Sequence, residues 1–122
     1  MCVFCDSFDK DRVLFETTEW VAVYDLYPVS KGHTLLIPKA HYETFFDLPD
    51  HLIDSLAHRL IDVKKILDDK FNPDGYNIGV NCGESAGQTV MHCHIHIIPR
   101  YKGDVENPSG GVRGVIPSKQ KY

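Results

Sequence analysis

His92-Cys93-His94-Ile95-His96-Ile97-Ile98-Pro99 is the stretch on which the fold of this chain depends. Polar and apolar residues alternate over its first six positions, and a β-strand directs successive side chains to opposite faces. The alternation therefore predicts a strand with three histidines on one face, each about 7 Å from the next. Cys93, Ile95 and Ile97 would lie on the other face and pack into the core. Because imidazoles contribute little to packing, we interpret the histidine face as a functional site.

Three interpretations of this face are open from the residues alone. In the first, it is an exposed polar surface. In the second, the three imidazoles bind one metal ion, although zinc ligands must lie about 2.0–2.1 Å from the ion and alternate residues of a straight strand diverge. In the third, a neutral imidazole attacks phosphorus and forms a covalent intermediate. The spacing does not say which histidine attacks.

A short polar loop precedes the histidines. Gly87 permits a close approach of the backbone to a ligand because it has no Cβ atom. Gln88 and Thr89 then supply an amide and a hydroxyl, which can bind phosphate oxygens or a leaving group. The loop therefore favours a site that handles phosphate.

The rest of the chain predicts a single α+β domain over residues 1–122. Short runs rich in β-branched and aromatic residues predict strands, besides the histidine segment, at 13–16, 20–24, 34–37 and 75–81. Apolar residues at spacings of three and four predict one long helix, whose stripe is Leu52, Ile53, Leu56, Leu60, Val63, Ile66 and Leu67. Short connections favour an antiparallel sheet of about five strands with this helix on one face and a shorter helical segment. An irregular tail is predicted at 102–122.

The long helix carries signals at both ends. Asp47 can act as its N-cap, and Asp50, three residues later, resembles the acidic partner of a capping box. Pro49 is compatible with the first turn, where its missing N–H is not needed. Pro73 cannot continue the helix, so the helix is predicted to end between residues 69 and 72.

The composition excludes several classes of protein. A length of 122 residues with 43% hydrophobic and 25% charged residues fits one globular domain and not a disordered chain. The net charge of −4 argues against a nucleic acid or an anionic membrane as partner. No apolar run approaches the roughly 20 residues that span a bilayer, and the N-terminus does not resemble a signal peptide. We therefore predict a cytoplasmic protein whose four cysteines are thiols or metal ligands.

Residues 87–100 resemble the signature of the histidine-triad (HIT) superfamily, in which three histidines alternate with apolar residues and two more apolar residues follow. The similarity begins at Cys2 and covers most of the chain, because Asp25, residues 31–33 and residues 38–41 occur in the expected order. The resemblance implies a HIT-like fold and a homodimer.

The same resemblance implies a role for each candidate residue. His94 matches the nucleophile that accepts a nucleotidyl group, and His96 matches the histidine that contacts the phosphate. Five more residues match substrate-binding positions: Asp25 at the ribose hydroxyls, His33 near the nucleotide pocket, Asn81 near the phosphates, and Gln88 and Thr89 near the phosphates and leaving group. From the residues alone, Asp25 is equally compatible with an ordinary turn.

Cys2-Val3-Phe4-Cys5 forms a C-x-x-C motif. A redox motif of this kind belongs at a strand-to-helix turn, and no helix is predicted after Cys5. A structural zinc ion needs four nitrogen or sulfur ligands. Similarity to zinc-containing HIT proteins implies that His41 and His92 complete the set, so that His92 faces zinc while His94 and His96 face substrate. Alternatively, the two cysteines are free thiols near a frayed end.

The implied reaction is cleavage at the α-phosphorus of a purine nucleotide through a nucleotidyl-histidine intermediate. Gln88-Thr89 and Pro99-Arg100 resemble members that cleave dinucleoside polyphosphates, which favours that substrate class. Asp25 and Asn81 resemble members that hydrolyse nucleoside phosphoramidates, including adenylated lysine. Two other classes stay open: a nucleotide-binding module without catalysis, and a metal-dependent hydrolase that uses the three histidines together.

Overall fold

The structure of the chain, a computed structural model, describes residues 2–122. Its strands are β1 (Val13–Glu16), β2 (Trp20–Tyr24), β3 (Thr34–Pro38), β4 (Gly75–Gly79) and β5 (Ile95–Arg100). They form one antiparallel sheet in the order β1-β2-β3-β5-β4. One long helix, α1 (Asp50–Phe71), lies between β3 and β4 in the sequence. The predicted α+β class, five-stranded antiparallel sheet and single long helix are confirmed.

One face of the sheet packs against α1. Trp20 and Leu36 project from this face and are completely buried. The apolar stripe of α1 covers them because residues three and four apart share one side of a helix. Its most deeply buried members are Leu52, Val63 and Leu67.

The opposite face of the sheet positions the site. It carries Val21, Val23, Leu35 and Ile37, and the N-terminal segment packs against these residues through Phe4, Phe8 and Val13. Leu35 of β3 pairs directly with His96 of β5. Directly paired residues of antiparallel strands project to the same side. His96 therefore lies on the face opposite α1, which we call the site face.

The N-terminus of α1 differs from the prediction. The cap position is Pro49, and the prediction of Asp47 as the cap was wrong. The Asp47 carboxylate instead accepts the backbone N–H of Thr44 at 3.0 Å and closes a capping box around the short 3-10 helix Phe45–Asp47. The other end agrees with the prediction, because α1 ends at Phe71 and Asn72 takes a left-handed conformation with φ 49°.

The histidine strand is shorter than the alternation predicts. β5 begins only at Ile95, so His92 and His94 precede it. The ladder with β3 stops because the Cys93 N–H donates to the Tyr42 carbonyl at 2.6 Å, and the His92 side chain bonds to the carbonyl of Pro38. The inward half of the pattern is confirmed, since Cys93, Ile95 and Ile97 are at most 3% exposed.

The structure also differs from the prediction at the end of β4 and in the C-terminal tail. β4 ends at Gly79 and not at Asn81, so Asn81 lies in the connection toward the histidines. The tail that was predicted to be irregular contains two short 3-10 helices, Gly111–Val115 and Pro117–Lys119. Gln120, which follows the second of these helices, donates to the carbonyl of Ser109, which precedes the first, at 3.3 Å.

Within residues 2–122, no helix combines the length and the apolar character needed to cross a bilayer.

Candidate functional site

Four side chains from distant parts of the chain converge in one cluster: Cys2, Cys5, His41 and His92. Their ligand atoms all lie within 4.8 Å of one another. His92 Nδ1 lies 3.4 Å from Cys2 Sγ, and it lies 3.1 Å from His41 Nδ1. A tetrahedral zinc ion, bonded to nitrogen at about 2.0–2.1 Å and to sulfur at about 2.3 Å, separates its ligand atoms by roughly 3.3–3.8 Å. The cluster therefore has nearly the dimensions of a zinc site.

The hydrogen bonds of His92 leave the correct nitrogen free for a metal. Its Nε2–H donates to the Pro38 carbonyl at 2.7 Å, which places the lone pair on Nδ1, the atom that faces Cys2 and Cys5. A carbonyl partner of this kind is typical of metal-binding histidines. Burial also lowers the pKa of His92, so its ring is neutral near pH 7 and able to bind a cation.

The surroundings of Cys5 in the cluster disfavour ionisation of its thiol. Desolvation, followed by the neighbouring Cys2, raises the pKa of the Cys5 thiol. A bound cation would favour the thiolate form of both groups and offset this effect. The four residues therefore fit a divalent metal such as zinc, and they leave none of the four tetrahedral positions for a substrate.

His94 presents a free lone pair. Its Nδ1–H donates to the backbone carbonyl of His92 at 2.9 Å, so the lone pair of the neutral ring lies on Nε2. No group within residues 2–122 forms a hydrogen bond to this Nε2, yet no side-chain nitrogen or oxygen of the described residues is both buried and unpaired. The Nε2 atom therefore reaches solvent, although the residue as a whole is only 8% exposed. This is the state that nucleophilic attack requires.

A chain of hydrogen bonds fixes the proton on His96. The backbone N–H of Val29 donates to Nδ1 of His33 at 3.1 Å, so the proton of the neutral His33 ring lies on Nε2. That Nε2–H donates to Nδ1 of His96 at 2.9 Å. Neutral His96 must then carry its own proton on Nε2, which has no partner within residues 2–122 and reaches solvent. His96 therefore presents a donor on a ring that neighbours the ring of His94, with 5.1 Å between the ring centroids.

Burial keeps His33 and His96 neutral near pH 7. It lowers the pKa of His33, an effect that the nearby Asp25 carboxylate only partly opposes. Burial, together with the neighbouring His94 and His33 rings, lowers the pKa of His96 to about 4. The donor that His96 offers near pH 7 is therefore a neutral N–H.

Asp25, His33 and His96 also form a possible metal-binding group, since their ligand atoms lie within 4.8 Å of one another. The Val29 amide argues against this use. A metal on His33 Nε2 would move the ring proton to Nδ1, where it would face the N–H of Val29. His92 meets a carbonyl in the corresponding place, and His33 meets a donor. The cluster that contains the two cysteines is therefore suited to a metal, and the group around His33 is suited to a chain of hydrogen bonds.

Asp25 lies beside this chain. Its Oδ2 is 3.5 Å from His33 Nε2, and its Oδ1 accepts the backbone N–H of Tyr27 at 2.8 Å. The second bond is the local turn contact that the sequence alone allowed. Asp25 is thus both a turn residue and a neighbour of the histidines, and its predicted contact with ribose stays a prediction.

Two cavities lie beside aromatic rings that contact His94, although His94 itself lines neither of them. Its ring contacts His96, on the wall of a cavity of about 660 Å³ that Asn81, His33 and the tail also line. On the other side it contacts Phe4, on the wall of a cavity of about 320 Å³. The structure therefore groups His33, Asn81 and His96 around one cavity, with Asp25 beside His33.

Gln88 and Thr89 lie elsewhere. Gln88 is 2% exposed, and its amide donates to the carbonyls of Glu43 and Val90 while its oxygen accepts the N–H of Gly83. These three bonds hold the loop together and leave no amide N–H for a ligand. Thr89 is exposed on the wall of a different cavity, beside Cys2 and His41. Their predicted contacts with phosphate or leaving group stay predictions.

Several groups that shape the site were not predicted from the sequence. The carbonyls of Pro38 and His92 and the amide of Val29 set the proton positions of three histidines. These are backbone groups, which residue identity does not reveal. Phe4 lay within the predicted cysteine motif, but its contact with His94 had no signal in the spacing.

The low pKa of His96 predicts a pH-dependent stability. Above about pH 6.5 the ring is neutral in the folded and unfolded chain and has no effect. As the pH falls below this value, the unfolded chain binds a proton that the folded chain accepts only near pH 4, so the free energy of unfolding decreases. Between pH 7 and 4.5, we expect wild type to lose roughly 2 kcal/mol more than His96→Asn.

Urea unfolding across this pH range measures the difference. His58→Asn, at an exposed position of α1, is the matched control and should show the same acid loss as wild type. An equal loss in wild type and His96→Asn would contradict the assignment of a depressed pKa to His96.

A family model described as the HIT domain matches residues 8–103. The chain belongs to this family. An uncharacterised HIT-like protein of Methanocaldococcus jannaschii is 45% identical over 111 residues, which are 87% of this chain and 84% of that protein. The crystal structure of a zinc-bound histidine triad family protein from Mycobacterium smegmatis superposes with a TM-score of 0.77 at 32% identity, over 87% of this chain and 79% of that chain. The resemblance in the sequence is therefore confirmed.

Two HIT relatives carry names that state an activity. The bis(5'-adenosyl)-triphosphatase of Dictyostelium discoideum is 37% identical over 98 residues, which are 80% of this chain and 66% of that protein. The adenylylsulfatase of Arabidopsis thaliana is 34% identical over 106 residues, which are 84% of this chain and 54% of that protein.

Proposed function

We propose that this HIT protein is a nucleotide hydrolase that cleaves at the α-phosphorus through a nucleotidyl-His94 intermediate. The observation that carries the proposal is that two neighbouring rings, with 5.1 Å between their centroids, each leave Nε2 open to solvent. His94 offers a lone pair, and His96 offers a proton donor. A nucleophile and a donor to the phosphate oxygens are the two groups that displacement at phosphorus needs.

In the first step, the His94 Nε2 lone pair forms a bond to the α-phosphorus, and the bond from phosphorus to the leaving group breaks. The attacking ring then carries positive charge, which its Nδ1–H shares with the carbonyl of His92 at 2.9 Å. In the second step, water attacks phosphorus, the P–N bond breaks, its electron pair returns to Nε2, and the proton that the water loses passes to solvent. The nucleoside monophosphate leaves and His94 is restored.

His96 binds a phosphate oxygen in this mechanism through its neutral Nε2–H. His33 fixes the orientation of that donor, and Asp25 stabilises the proton on His33 Nε2 from 3.5 Å. Asn81, on the wall of the same cavity, offers an amide to the phosphates. Asp25 also retains acceptor capacity for ribose hydroxyls. Gln88 supports the loop, and Thr89 would reach the leaving group only if that loop moved.

We assign zinc to Cys2, Cys5, His41 and His92. A closed four-ligand site of this kind supplies structural stability and no open position for chemistry. It ties the N-terminal loop to the segment that carries His94, two residues from His92. Support comes from the free Nδ1 of His92, the ligand separations and the zinc-bound relative from M. smegmatis.

Dinucleoside polyphosphates are the substrate class that we favour. The similarity to the bis(5'-adenosyl)-triphosphatase supports this class, and the similarity to the adenylylsulfatase supports an adenylyl group as the part transferred to histidine. Nucleoside phosphoramidates are the alternative, because the same attack on phosphorus would release an amine.

A panel assay separates the two substrate classes. We expect the purified protein to cleave diadenosine triphosphate or tetraphosphate with a higher kcat/KM than adenosine phosphoramidate or adenylated lysine, and to release AMP from each. A higher kcat/KM for the phosphoramidates would contradict the polyphosphate assignment and identify the protein as a nucleoside phosphoramidase. Binding of all four nucleotides without turnover would identify a nucleotide-binding module instead.

We also infer a homodimer. β4 is an edge strand of the sheet, and its Ile78 side chain is 49% exposed. An exposed edge strand can pair with the same strand of a second copy. A monomeric mass in sedimentation equilibrium would contradict this inference.

A further inference from the structure

Phe4 connects the metal cluster with His94. It lies between the two cysteines of the C-x-x-C motif. Its ring meets the His94 ring nearly edge-on, with 5.0 Å between centroids and an interplanar angle of 75°. The same ring approaches His92 at 6.1 Å and 82°. One aromatic side chain from the N-terminal loop therefore contacts a metal-cluster histidine and the proposed nucleophile.

The position of His94 needs such a contact. His94 precedes β5, so no ladder holds its backbone to a neighbouring strand. Its Nδ1–H bond reaches the carbonyl of His92, only two residues away on the same segment. The segment itself is attached on both sides of His94, by the Cys93 N–H bond to the Tyr42 carbonyl and by the Leu36–Ile95 pair, so packing has only the ring of His94 left to fix. On one side the ring packs against His96 of β5, and on the other side it packs against Phe4.

Phe4 is itself held by two attachments. Phe8 and the apolar side chains of the site face pack against it, with 6.1 Å between the two phenyl centroids. Cys2 and Cys5, which flank it in the chain, lie in the cluster with His92. A metal that joins these cysteines to His92 closes a short loop whose interior contains Phe4. The distance from Phe4 to the segment 92–94 is then limited by covalent and coordinate bonds.

We infer that Phe4 is a positioning residue for His94 and that metal binding by the C-x-x-C loop seats it. The inference deepens the proposed function and rests on it. Phe4 touches neither phosphorus nor leaving group in this role. It limits the rotation of the His94 ring, so that Nε2 stays directed at the phosphorus while substrate is bound. A loop without metal would leave Phe4 less constrained and the ring of His94 less well oriented.

Single-turnover formation of the nucleotidyl-enzyme is the first test. The probe is the radiolabelled adenine nucleotide that wild type cleaves fastest in the panel assay, at a saturating concentration. We expect Phe4→Ala to slow labelling of His94 about 10–100-fold, because misplacement of a reacting group by about 1 Å costs that much. Phe4→Leu, which retains an apolar side chain of similar reach, should recover most of the rate.

Val3→Ala is the matched control. Val3 belongs to the same loop, but the residue is 61% exposed. The variant should label at the wild-type rate. Both variants should retain the zinc content of wild type, which shows that the loop still closes. A Phe4→Ala protein that labels at the wild-type rate but binds nucleotide more weakly would overturn the inference, because Phe4 would then only line the nucleotide site.

Removal of the metal tests the second half of the inference. We expect metal-free wild type to label as slowly as metal-loaded Phe4→Ala, and metal removal from Phe4→Ala to add little further loss. Losses that multiply would overturn the coupling, since the metal would then act on His94 by another route. Proton NMR gives a readout independent of turnover: contacts between the Phe4 and His94 rings should be present in the metal-loaded protein and weaken on chelation.

The outcome for wild type separates the two proposals. If metal-loaded wild type forms no nucleotidyl-histidine with any nucleotide of the panel, the proposed function fails. If wild type labels and Phe4→Ala labels equally fast and with equal affinity, the proposed function stands and the role of Phe4 is overturned.

Discussion

Replacing His94 by alanine is expected to lower the rate of nucleotide cleavage at least about a thousandfold. The reason is specific to this side chain. His94 carries the free lone pair at Nε2, whereas the corresponding atom of His96 carries a proton that His33 fixes there through Nδ1. The neighbouring imidazole therefore cannot replace it as a nucleophile without reversing the proton positions of two rings.

Steady-state cleavage and trapping of the labelled enzyme measure this effect together. Wild type quenched in alkali, where a P–N bond survives, should carry label on residue 94, and His94→Ala should carry none. His51→Ala is the control, because it removes an exposed histidine of α1 outside the site. Undiminished cleavage by His94→Ala, or label on another residue, would refute the proposed nucleophile. His96→Ala should still form the intermediate, although more slowly, since it removes a donor and not the attacking atom.

The strands and the core were predictable because they depend on side-chain patterns that the sequence contains. The runs at 13–16 and 20–24 became β1 and β2 with the predicted bounds. Burial of Cys93, Ile95 and Ile97 followed from the alternation, since a period of two places alternate side chains on one face. The helix stripe followed from spacings of three and four in the same way.

The errors occurred where a polar group had more than one possible partner. Asp47 suits a helix cap, but Thr44 lies closer and takes its carboxylate for the preceding turn. Residues 92–94 alternate as a strand would, yet the Pro38 carbonyl bonds to the His92 side chain where the ladder would have continued. Local sequence patterns do not show which hydrogen-bond partner a polar group will take, because the partners are set by the tertiary fold.

The meeting of Cys2, Cys5, His41 and His92 was predictable through the resemblance, but the hydrogen bonds that set the ring protons were not. Alternate histidines indicated a reactive face, and the resemblance assigned one to zinc and two to substrate. The proton positions depend on the acceptors at His92 and Pro38 and on the donor at Val29. These backbone groups have no signature in the sequence, and the roles that we propose for the three imidazoles depend on them.

Removal of zinc from the cluster is expected to lower the free energy of unfolding by at least about 3 kcal/mol and the Tm by roughly 10 °C. The cluster joins the N-terminal loop to His41 after β3 and His92 before β5, and of these connections only the one between the last two segments is reinforced by a backbone bond, from the Cys93 N–H to the Tyr42 carbonyl. The sheet and α1 have their own apolar core, from Trp20 to Leu67, so the protein should stay folded at room temperature without the metal. The loss should therefore appear as reduced stability and not as an unfolded chain.

Calorimetry of protein prepared with zinc, and again after chelation, measures the change. Cys5→Ser should unfold near the temperature of the chelated wild type, and a chelator should not lower it further. Cys82→Ser is the matched control, because Cys82 is a partly exposed thiol outside the cluster and its replacement should leave the response to chelation intact. Well under one zinc per chain in protein purified without chelators, or an unchanged Tm on chelation, would exclude the structural metal. A slow but measurable cleavage by the metal-free protein would also exclude a hydrolase in which the metal activates the attacking water.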